Sequence, residues 1–180
     1  SFVETAEAEG ATVDTVYPEA ATADAQIKVL DNLISKDYDA ICISANDVNA
    51  LQAKLQEAMD EGIKISCFDS ATNPDSRQIF INQAGTDAVG QALLDACLDI
   101  SGGEGQFAIL SATSQAANQN AWIDAMKKIM EEDDKYSKLE LVEVAYGDDE
   151  PQKSTDQTAA LLEKYPDLKV ICAPTTVGIA

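Results

Sequence analysis

The sequence predicts an α/β protein whose parallel sheets are covered by helices. Three observations predict it. Short apolar runs of strand character alternate with segments of helical period, and the connectors between them are short. The strands, such as "AICIS" and "FAILSA", are near-continuously apolar, the pattern of strands that parallel sheets bury under helices.

Taken in order, "SFVETAEAEG" reads as the end of a helix with Gly10 as its stop. "ATVDTVY" (11–17) is predicted as a strand, and 22–37 as a helix with Ile27, Leu30 and Ile34 on one face. A strand over 38–44 is followed by a helix over 49–62, closed by Gly62. Two strands, 63–68 and 77–82, come next without a helix between them. The second half repeats the alternation: helix 87–100, a break at Gly102, Gly103 and Gly105, strand 106–112, helix 118–133, strand 139–147, helix 152–165 and strand 169–174.

"LISKDYDAICIS" (33–44) and "LLEKYPDLKVICAP" (161–174) share a helix tail, a Tyr and an Asp, then an apolar strand with Ile-Cys. That likeness fits two lobes of similar topology meeting near residues 82–86. The direct step from strand 63–68 to strand 77–82 has the form of a strand leaving one lobe for the other.

An apolar fraction of 46% supplies a core, and 32 acidic against 12 basic residues give a net charge of −20. That field repels nucleic acid and anionic lipid, so neither is an expected partner. The count of His is 0, which removes the commonest general base and metal ligand. Cys42, Cys67, Cys97 and Cys172 sit singly, three of them in strand-like apolar runs, and read as small buried hydrophobes. No cofactor and no metal is expected. No signal peptide or membrane-spanning run is visible, and both chain ends read as cut, so the sequence is expected to be a fragment.

In open α/β sheets, ligands bind beyond the carboxyl ends of the strands. There the predicted strands deliver Ser44, Asn46 and Asp47; Asp69, Ser70 and Thr72; Thr113 and Ser114 with Asn118, Gln119 and Asn120; Tyr146 and Asp148; and Thr175 and Thr176. Amides, hydroxyls and carboxylates without a cation suit a neutral polyhydroxylated ligand. They suit a phosphate badly, since no Gly-rich phosphate loop or Arg cluster occurs. N-capping alone also explains Asn46, Asp47, Asn118 and Thr175, which sit where helices are predicted to begin. Asp69 is different, because no helix clearly starts after it. A phosphatase of the haloacid-dehalogenase type would need a second acid where Ala71 stands, and a receiver domain an acidic pair where "VYPEAAT" offers only Glu19. Phe68 and Trp122 could stack on a sugar ring, though lone aromatics on such elements usually pack in the core.

"YDAICISANDVNALQAKLQEAMDEGIKISCFDSAT", "INQAG", "NQNAW" and "YPDLKVICAPTTVGIA" together resemble the type I periplasmic solute-binding proteins of ABC importers, in the branch of the rhamnose-binding and autoinducer-2-binding receptors. The resemblance covers nearly the whole chain. It implies two Rossmann-like lobes, here an incomplete pair: 1–82, lacking its first strand, and 83–180, truncated. It implies ligand contacts at Asp69, Asn118, Gln119, Pro174 and Thr176, to which the strand-end reading adds Asn46.

By this resemblance the protein is no enzyme. It would bind a sugar by hinge closure and present the closed form to a membrane permease. It would work outside the cytoplasm, in the periplasm or as a cell-surface lipoprotein, and as a monomer at full length. Autoinducer-2 receptors carry Asp where this chain has Asn118 and Ala where it has Thr176, which ranks a rhamnose-like deoxyhexose ahead of autoinducer-2. The rivals are the effector domain of a LacI-type regulator and a phosphatase using Asp69.

Overall fold

The computed structural model describes residues 2–179. Two parallel sheets form. β1 (Ala40–Ile43), β2 (Lys64–Phe68) and β3 (Ile79–Ile81) pair in the order β1-β2-β3. β4 (Gly105–Ser111), β5 (Leu139–Tyr146) and β6 (Leu168–Cys172) pair in the order β5-β4-β6. The helices are α1 (Phe2–Ala8), α2 (Ala23–Ile34), α3 (Gln52–Asp60), α4 (Thr86–Ser101), α5 (Ala117–Glu132) and α6 (Pro151–Lys164).

β4 explains why the second sheet reads as a continuous apolar run. Strand side chains alternate between faces, so an all-apolar strand needs cover on both. Phe107 and Ile109 join Leu94 and Cys97 of α4 and Ile123 and Met126 of α5. Ala108 and Leu110 join Leu161 of α6 and Tyr165 at its C-cap in a separate cluster. All four strand residues are fully buried, and burying a side chain the size of Phe or Leu contributes about 1.5–3 kcal/mol. In the first sheet, Ile41 and Ile65 pack with Leu30 of α2 and Leu55 and Ala58 of α3.

The helix stops lie where glycine demands them. Gly62 and Gly102 hold left-handed φ of 93° and 76°. The next amide then reaches back into the helix, Ile63 to the Ala58 carbonyl at 3.0 Å and Gly103 to that of Leu98 at 2.8 Å.

The predicted strand over 11–17 does not form. The segment has no ladder among the described residues, and Val16 and Tyr17 are exposed, Tyr17 by 83%. A strand is stabilised by its neighbour's hydrogen bonds and by a face to bury, and this segment has neither. β3 ladders parallel to β2 in the first sheet, and residues 82–85 behind it make the passage to α4. Short 3-10 turns at Pro74–Ser76, Asp134–Tyr136 and Val177–Ile179 were not predicted, because one turn carries no readable period.

Candidate ligand-binding site

The carboxyl ends of both sheets meet at a cavity of about 130 Å³, lined by Ser44, Asn46 and Asp69 from one side and by Asn118, Gln119 and Asp149 from the other. Ser70, Thr113 and small alanines complete the wall. No lysine or arginine is among the lining residues.

Asp69 stands at the centre of the polar network. It follows directly on β2 with a left-handed φ of 58°, a conformation that aspartate tolerates better than most side chains. Its amide donates to the Ile81 carbonyl at 3.2 Å, anchoring it to the end of β3. Its Oδ2 accepts from the Ser44 hydroxyl at 2.9 Å. Its Oδ1 accepts from Gln83 Nε2 at 2.7 Å and from Asn118 Nδ2 at 3.2 Å. The carboxylate therefore joins the end of β1, the segment between the sheets and the first turn of α5. A carboxylate has about four acceptor sites. With protein donors on it already, it can take a ligand hydroxyl at the remaining site or in place of Asn118, its longest contact.

Asn46 and Asn118 do not sit as helix caps. α3 begins at Gln52, and Asp47 instead accepts from the amides of Asn49 and Ala50, both at 2.8 Å. Ala116 occupies the N-cap of α5, which leaves Asn118 inside the first turn with its amide free to reach Asp69. Asn120 closes the preceding loop by donating to the Ser114 carbonyl at 2.9 Å. On the same side, Asp148 and Asp149 both hold φ of 54°. Asp148 pairs with Lys153, and Asp149 accepts from the Thr175 hydroxyl at 2.5 Å.

Of the residues singled out from sequence, Asn46, Asp69, Asn118 and Gln119 come together at the cavity. Pro174 and Thr176 are not among its lining residues. Thr175 between them turns inward to Asp149, leaving Pro174 half-buried and Thr176 exposed. Phe68 and Trp122 are likewise absent from the lining. Among the described residues no cluster of His, Cys, Asp and Glu could hold a metal ion, and no helix is long and apolar enough to cross a membrane.

Residues 1–180 match the family described as periplasmic binding protein domain. The chain belongs to that family. An ABC transporter solute-binding protein from Clostridium phytofermentas, solved with bound L-rhamnose, is 56% identical with a TM-score of 0.94, covering 98% of this chain and 55% of its own. A D-ribose/D-allose-binding protein from Pseudomonas aeruginosa is 27% identical over 158 residues, 82% of this chain and 47% of that protein. LsrB from Clostridium saccharobutylicum, in complex with AI-2, is 21% identical with a TM-score of 0.85 over 97% of this chain and 56% of its own, a likeness of fold. The chain thus spans about half the length of these relatives.

In this periplasmic binding protein domain, three polar residues at or behind the cavity were not singled out from sequence. Gln83 lies in "INQ", where nothing in its neighbours marks the side chain that reaches Asp69. Asp149 follows Asp148, and the strand-end rule does not choose between two adjacent acids. Gln26 could have been found, since an amide on the apolar stripe of α2 must have a partner inside.

Proposed function

We propose that the protein is the extracytoplasmic sugar-binding component of an ABC importer, taking a neutral sugar between lobes formed by residues 1–82 and 83–180. A rhamnose-like deoxyhexose is the first candidate. One observation carries the reading: the Asp69 carboxylate is held by donors from both sides of a cavity whose lining bears no cation. Carboxylates and amides match a hydroxylated, uncharged ligand and disfavour a phosphorylated one. The L-rhamnose in the Clostridium phytofermentas relative supports the choice of sugar, and the ribose/allose-binding relative supports the class.

The function is binding, with no chemical step. A sugar hydroxyl reaches Asp69 from the first lobe, and Asn118 and Gln119 complete its hydrogen bonds as the lobes close. The sugar shifts an open–closed equilibrium by its greater affinity for the closed form. A membrane permease then recognises the closed monomer, and nucleic acid is no partner.

A thermal-shift panel on the full-length protein with L-rhamnose, other pentoses and hexoses, and autoinducer-2 tests this. A rise in melting temperature with L-rhamnose is expected. A rise with autoinducer-2 alone would reassign the ligand, and no rise with any sugar would overturn the reading.

A further inference from the structure

We propose that Gln26 is a positioning residue for this site, setting Asp69 through Ser44; the proposal rests on the reading of the cavity as a sugar site. Gln26 lies on the core-facing stripe of α2 beside Ile27 and Leu30, and is buried to nine-tenths. An amide in that stripe is costly unless both its ends are bonded, and here both are. Its Nε2 donates to the Ser44 carbonyl at 2.7 Å, and its Oε1 accepts from the Asn46 amide at 2.8 Å.

These two backbone groups flank Ala45, just beyond the end of the β1 ladder at Ile43, where strand pairing no longer satisfies the chain. Gln26 therefore replaces a missing strand neighbour at the rim of the cavity. The same short loop carries the Ser44 hydroxyl that donates to Asp69 Oδ2 at 2.9 Å, and the Asn46 that lines the cavity. The Ala45 amide adds a bond to the Ser70 carbonyl at 3.2 Å, tying the loop to the residue after Asp69. Gln26 does not line the cavity; it fixes the loop that delivers three of the lining residues, Ser44, Ala45 and Asn46.

The test compares full-length wild type with Gln26→Met and Gln26→Glu. Methionine matches the length and apolar surroundings but makes neither bond; glutamate keeps the acceptor for the Asn46 amide and loses the donor to Ser44. L-rhamnose titration calorimetry and amide hydrogen exchange at Asn46, with and without sugar, are the readouts. The expected result for Gln26→Met is an affinity about three- to tenfold weaker, with faster Asn46 exchange even without sugar. In Gln26→Glu the Asn46 amide should keep more of its protection than in Gln26→Met. If Gln26 only fills space, Gln26→Met keeps both affinity and protection, and that result overturns the role. A wild type that binds no sugar overturns the sugar reading itself, a distinguishable failure.

Discussion

Asp69 combines a left-handed backbone with a carboxylate that accepts from Ser44, Gln83 and Asn118, and each of these donors sits on a different segment. Such backbone strain, on the order of 1–3 kcal/mol, persists only where neighbours over-determine the conformation, and it recurs at ligand sites. Asn118 contributes a neutral amide from the opposite side of the cavity. Replacing it by alanine should weaken L-rhamnose binding by about 0.5–1.5 kcal/mol, measured by calorimetry on the full-length protein. Asp69 was legible in the sequence because a strand ended in an acid that no helix could claim as its cap. Its partner Gln83 was not, since a contact between residues 14 positions apart depends on where the chain turns back after β3. At the exit of β6 the sequence singles out Thr176 as the ligand contact and Thr175 as a helix cap, and the fold instead turns Thr175 inward to Asp149.

At the scale of elements, β4 is the centre of the second sheet and is buried on both faces. Phe107→Ala should cost about 3–5 kcal/mol in urea denaturation, the range for emptying a buried aromatic site. α4 and α5 meet at Gly90, where an added Cβ would lie 2.8 Å from the Ala125 Cβ and 3.2 Å from the Trp122 carbonyl. Alanine there would gain about 1 kcal/mol in helix propensity. Overpacking of about 1–3 kcal/mol outweighs it, so Gly90→Ala should lower the urea midpoint. The helices and the paired strands were legible because their periods recur over several residues. The stretch 11–17 has the composition of a strand, but a strand exists only with a partner, and composition does not reveal one. Tyr136, on a single 3-10 turn, packs into the core cluster with Leu94 and Phe107 while its hydroxyl donates to Asp95 at 2.6 Å, which no local pattern announces.

For the whole molecule, exposed ion pairs contribute modestly to the pH dependence, two of them through shifted carboxylates. Lys135 foremost, with Tyr136, holds the Asp95 carboxyl below its usual range, and Lys164, with Tyr165, does the same for Glu143. These carboxylates stabilise the fold above their unfolded pKa of about 4, and the contribution is lost as pH falls through their lower folded values. Asp95 and Glu143 in turn raise Lys135 and Lys164. That contribution is present below an unfolded pKa of about 10.4 and is lost as pH rises past the folded values. With no histidine in the chain, the melting temperature should stay flat from about pH 5 to 9 and fall on either side. A step near pH 6.5 in a thermal scan would contradict this. Parallel sheets were legible from the alternation, and a two-part plan from the likeness of 33–44 to 161–174, whereas the side chains that link the sheets across the cavity required the fold.

The most direct measurement is calorimetric titration of L-rhamnose into the full-length protein, wild type beside Asp69→Ala. Wild type is expected to bind in the micromolar range, about −8 kcal/mol, and the variant to lose about 1.5–3 kcal/mol. Equal affinity in the two proteins would show that the sugar does not rest on Asp69.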